Sequence, residues 1–147
     1  MTRNTWILVV ALVVLGGGYA YRFTDWFSPP KIQIDVVTRP SGRPGRDPET
    51  LPTLFMLDRD YPVRGIRVVA VSNVPPDEVG KPVWQLVAAE KPDAVRGFEY
   101  GDSFPGTKTV TAAHKLEPDG VYRIEFESGR FKGEREFHVQ STGAAPE

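Results

Sequence analysis

Residues 116–139 read LEPDGVYRIEFESGRFKGEREFHV. Tyr122, Ile124 and Phe126 alternate with Arg123, Glu125 and Glu127, the period of two expected of a strand with one buried face. Ser128-Gly129 reads as a two-residue turn, and the chain returns from Arg130 to Val139 as a second strand. Closing the hairpin on those two residues sets Glu127 opposite Arg130, Glu125 opposite Lys132 and Arg123 opposite Glu134, with Phe126 against Phe131 on the inner face. Such cross-strand pairs contribute about 0.2–1 kcal/mol each, and a one-residue slip would turn every side chain to the wrong face. In this register Arg135 falls on the inner face opposite Tyr122. Either a bulge at Gly133 turns it outward, or it stacks over the tyrosine ring.

Outward from the hairpin, the same alternation recurs in short runs. Ile32, Ile34 and Val36 share one face of a first strand, and Leu54 to Leu57 makes a second. Asp58 to Pro62 reads as a turn. Ile66, Val68 and Ala70 oppose Val69 and Val71 in a strand apolar on both sides, which places it centrally. Trp84 and Leu86 face together in Val83 to Ala88. Phe98 and Tyr100 form a short strand before Gly101, and Lys108 to His114 points Val110 and Ala112 inward. Breaks fall every eight to twelve residues, and the chain holds 14 Gly and 14 Pro. That is the punctuation of many strands joined by turns. The expected fold class is all-β, a sandwich of seven or eight antiparallel strands preceded by one N-terminal transmembrane or signal helix.

Leu116-Glu-Pro118-Asp-Gly-Val-Tyr122 resembles the Leu-x-Pro-x-x-x-Tyr corner of fibronectin type III domains, within the wider immunoglobulin-like class. The resemblance implies an immunoglobulin-like sandwich. It makes Tyr122 the corner tyrosine, Leu116 a core residue and Pro118 a turn-setter, with Phe126 and Phe131 completing the structural set in the hairpin. The early strands hold no Trp, and Trp84 comes nearer the middle of the chain. The run from Phe98 to Gly106, followed by corner and hairpin, is also similar to the close of small bacterial exported proteins of unknown role, which implies an exported compartment.

At the other end, residues 1–5 form a polar leader with Arg3, and Trp6 to Tyr21 runs without a charge. Two readings fit. In one, residues 6–23 are an uncleaved anchor, with Arg22 snorkelling and Tyr19, Tyr21, Phe23, Trp26 and Phe27 forming an interfacial belt. In the other, Gly18-Tyr19-Ala20 is the cleavage site of a signal peptide, and the glycines at 16–18 break its helix. The anchor accounts better for the aromatic cluster. Either way the remainder is expected outside the cytoplasm: periplasmic on a single-pass inner or plasma membrane, or else secreted. Residues 24–31 are then a Pro-containing spacer, 32–140 the β-domain and 141–147 a disordered tail.

Net charge is −1, which gives no surface for nucleic acid, and the absence of Cys removes disulfides, thiolate zinc sites and Cys nucleophiles together. Ser103 in Gly101-Asp-Ser-Phe104 has no base assigned to it and reads as a turn residue. Asp58 and Asp60 are spaced like the start of a calcium loop that lacks its later ligands. His114 and His138 stand apart, so no catalytic residue, metal or cofactor is expected. The binding candidates are Trp84 with Tyr100 and Phe104, as an aromatic platform, and Arg39, Arg43 and Arg46 in a Pro-rich loop, as a basic contact arm. A core position for Trp84 is the competing reading. The functional expectation is a membrane-tethered interaction or assembly module with a protein partner in the cell envelope. The alternative is an exported module for a glycan or another small ligand.

Overall fold

The structure, a computed structural model, describes residues 3–23, 30–38 and 51–141. Helix α1 spans Arg3–Phe23, 21 residues, none of them buried. At 1.5 Å per residue it is about 31 Å long, enough to cross a bilayer core of about 30 Å. It starts within the expected leader and continues through the three glycines, where each turn of helix has nothing packed beside it. A signal anchor and a signal peptide both fit such a helix.

Eight strands follow among the described residues: β1 Ile34–Thr38, β2 Thr53–Pro62, β3 Gly65–Ala70, β4 Pro82–Ala88, β5 Ala94–Glu99, β6 Thr107–Thr111, β7 Val121–Ser128 and β8 Phe131–His138. They form two antiparallel sheets, one ordered β1-β2-β5 and the other β6-β4-β3-β7-β8. Alternation decides which side chains meet between them. Phe55 and Leu57 from the smaller sheet join Ile66, Val68, Trp84, Leu86, Ile124 and Phe126 from the larger in one core. Phe55 lies 5.3 Å from Phe98 and 5.1 Å from Phe137, so its ring ties elements of both sheets together. As expected, β3 is central, paired with β4 on one side and β7 on the other.

The hairpin exists in a different register from the expected one. Its closing pair is Ser128 and Phe131, and Glu127 faces Lys132, Glu125 faces Glu134 and Arg123 faces Glu136. The loop is Gly129-Arg130. Gly129 adopts φ 62°, the positive angle that a type II′ turn needs at its first central position, which Ser would take only with strain. Two residues of shift preserve the faces, so Tyr122, Ile124 and Phe126 remain buried. Phe126 thus meets Gly133 in place of Phe131. Arg135 faces Ile124 on the outermost strand and is exposed, with no register break at Gly133. Gly133 has a different reason: a Cβ there would stand 2.6 Å from the Ile32 carbonyl oxygen. The segment entering β1 crosses β8 at that point, and the Ile32 N–H donates to the Lys132 carbonyl at 2.9 Å.

Two further expectations are corrected by bulges. Asp58 to Pro62 is part of β2, but the pairing with β5 slips between Met56 and Tyr61, so residues 58–60 bow out of the ladder. Neither Val110 nor Ala112 points inward, and both are exposed. Gln85 pairs with Thr111 and Leu86 with Thr109, which leaves Val110 as the extra residue of a bulge, 55% exposed. β5 also begins earlier than Phe98, at Ala94. Residues 24–29 of the spacer, the loop carrying Arg39, Arg43 and Arg46, and residues 142–147 of the tail lie outside the described residues.

Candidate functional site

The outward side chains of the larger sheet form two rows. Gln85, Arg67, Glu125 and Glu134 lie side by side across β4, β3, β7 and β8, and Val87, Gly65, Glu127 and Lys132 form the next row. Gly65 leaves the second row without a side chain at β3, and an added Cβ would find no atom nearer than 3.7 Å. The result is an open groove of about 790 Å³ running toward Lys31, Ile32 and Arg64.

Its electrostatics are mixed. Lys132 Nζ lies 2.7 Å from Glu127 Oε1, and that bond holds the ammonium above its ordinary pKa. Arg67 stands 3.9 Å from Glu125 and donates from Nη2 to the Gly80 carbonyl, while its Nε is enclosed without a hydrogen-bond partner. Glu125 directly opposes Glu134, a like-charge pair that leaves carboxylate oxygens open to a donor. A surface of this kind can take both donors and acceptors from an extended polar segment. Among the described residues no three His, Cys, Asp or Glu side chains come together as a metal site.

The residues singled out from sequence fall elsewhere. Trp84 is 1% exposed, with Tyr100 edge-on at 5.2 Å and Phe98 at 6.4 Å. Its ring is core, and it does not form an open platform. The Tyr100 hydroxyl donates to the His114 carbonyl at 2.8 Å, fastening the stretch after β6. Burial, with Tyr122 nearby, pushes its pKa well above the usual tyrosine range. Phe104 packs edge-on to Phe98 at 5.8 Å. Ser103, His114 and His138 are exposed in separate places. Asp58 accepts from the Gln33 N–H, Arg59 Nε and the Tyr61 hydroxyl. Desolvation pushes its carboxyl up, yet these donors together outweigh it and hold it below the ordinary value.

At the corner, the Tyr122 hydroxyl accepts the Glu117 N–H at 2.9 Å, Leu116 is buried and Pro118 is exposed. The groove itself escaped sequence reading. Gly65, at the head of an apolar run, was its one local signal, because glycine in a strand marks missing packing or a close approach. No family model, curated protein or solved structure matches this chain.

Proposed function

We propose that this chain is a membrane-anchored, extracytoplasmic β-domain that serves as a protein-interaction or assembly module of a cell-envelope complex. The observation that carries the reading is the conjunction of an apolar helix with no buried residue and a separately cored β-domain with an open, charge-alternating groove. A helix apolar on every face needs an apolar surrounding, and this one finds none among the described residues. An immunoglobulin-like arrangement is part of the proposal. The strand order β1-β2-β5 against β6-β4-β3-β7-β8 and the hydroxyl bond of Tyr122 at the corner support it.

The test joins intact mass to crosslinking in native membranes. The expected results are full-length protein in the membrane fraction and a discrete adduct from a photoreactive residue at Val87, in the groove. The same probe at Met56, on the outer side of the smaller sheet, should give no adduct. A soluble product lacking about twenty N-terminal residues, as a signal peptide leaves, would reject the anchor. Equal labelling from both positions would reject the groove as the contact surface. The ligand-binding alternative draws on Trp84 as a platform, and that ring is enclosed in the core.

A further inference from the structure

Among the described residues the domain has two ends of different charge, and the tether joins one of them. Lys31 bridges to Lys132 at the start of β8, and the Arg64 N–H donates to the Glu127 carbonyl in the strand beside it. Arg130 occupies the adjacent turn. Lys31, Arg64, Arg130 and Lys132 are all exposed at this corner, where Glu127 is already bonded to Lys132 and Glu134 lies in the next row of the same groove. The other acids of this end are Asp58 and Asp60 in the β2 bulge, where Asp58 is paired with Arg59, and Glu90 and Asp93 in the β4–β5 connection. From Lys31 the chain runs through β1 to Thr38, about 23 Å at 3.3 Å per residue, toward the opposite end. There the exposed acids Asp77, Glu78, Glu117 and Asp119 stand with Lys81 and Lys115.

The tether limits where these ends can be. Residues 24–30 separate Phe23, the last residue of α1, from Lys31. Fully extended, that connection spans at most about 28 Å. Lys31 therefore stays within about 28 Å of the end of the helix and can reach the bilayer surface, while the acidic end begins a further strand length along the chain.

We infer that the corner formed by Lys31, Arg64, Arg130 and Lys132 rests on an anionic lipid surface, with the acidic end directed away from the bilayer. The inference rests on the anchor reading above. Cations held near an anionic bilayer gain attraction that fades within a Debye length, so the short tether is what makes these four effective. Repulsion of Asp77, Glu78, Glu117 and Asp119 from the same surface selects the same orientation.

The chain contains no cysteine, so single labels can be placed without background. Full-length Pro62→Cys and Asp77→Cys proteins, labelled with a bimane fluorophore, would be reconstituted into nanodiscs containing headgroup-nitroxide lipid. Pro62 is exposed beside Arg64 and leaves all four cations in place, and Asp77 marks the acidic end. The expected result is quenching at position 62 several-fold greater than at 77 in discs with phosphatidylglycerol. The ratio should fall toward one in neutral phosphatidylcholine discs or at high salt. Adding Arg64→Glu with Arg130→Glu to the Pro62→Cys protein should have the same effect. Equal quenching at both positions in anionic discs, or a ratio indifferent to lipid charge, would overturn the inference and leave the anchor intact. Failure of the chain to enter discs would overturn both, and is read separately from co-migration of protein with lipid.

Discussion

Two tyrosine hydroxyls fasten the ends of β4, β6 and β7, and each supports a test at the scale of one residue. Tyr122 accepts the Glu117 N–H at 2.9 Å, and its ring stacks on Phe137 at 5.9 Å. Tyr122→Phe keeps the stacking and removes the acceptor. It should cost about 1 kcal/mol, read as a lower urea midpoint with unchanged slope. The proton on Tyr100 gives a pH dependence. Above about pH 10 the unfolded chain releases its tyrosine protons while native Tyr100, its pKa raised by burial, keeps its own. The native state then binds more protons, so stability falls as pH rises, and the contribution is complete below that point. Urea midpoints between pH 8 and 11 should therefore decline less steeply in Tyr100→Phe than in the parent. The bond of Tyr122 to the turn before it was legible from seven residues, because a local motif carries its own partner. Trp84 was ambiguous in sequence, because a large aromatic ring suits a core and a ligand platform equally until its neighbours are known.

The hairpin shows the same division for a whole element. Alternation identified which residues of β7 are buried, since a shift by two leaves every face unchanged. Charge matching chose the wrong register, because it outvoted the turn. A II′ turn requires Gly at its first central position, and Gly129 imposes that requirement on where the hairpin closes. Glu134→Lys distinguishes the two registers by sign. Opposite Arg123 it would set like charges together and destabilise the protein. Opposite Glu125, as the structure has it, it should stabilise by about 0.2–1 kcal/mol, with the gain reduced by salt. Chemical denaturation at low and high ionic strength measures both. Val110 and Gly133 misled for a related reason. One sits in a bulge set by pairing with β4, and the other lies under the Ile32 backbone, a contact about a hundred positions away in the chain.

For the molecule as a whole, α1 contributes no buried residue and the core is built from Ile32 onward. Deleting residues 1–23 should therefore leave the unfolding free energy from urea titration within about 0.5 kcal/mol of the parent and move the protein from the membrane to the soluble fraction. A large loss of stability would mean that the helix packs on the domain. The groove and the charged ends belong to this scale alone. Arg67, Gln85, Glu125 and Lys132 come from four strands and meet only because the order is β4-β3-β7-β8.

By itself the sequence determined the apolar helix, the β class, the central place of β3, the buried face of β7 and the bond of Tyr122 to the turn before it. Each is written in the period or spacing of neighbouring residues. The tertiary structure alone decided the hairpin register, the two bulges, the burial of Trp84, the passage of Ile32 over Gly133 and the groove. Those depend on which distant strands lie side by side, and local alternation carries no information about that choice.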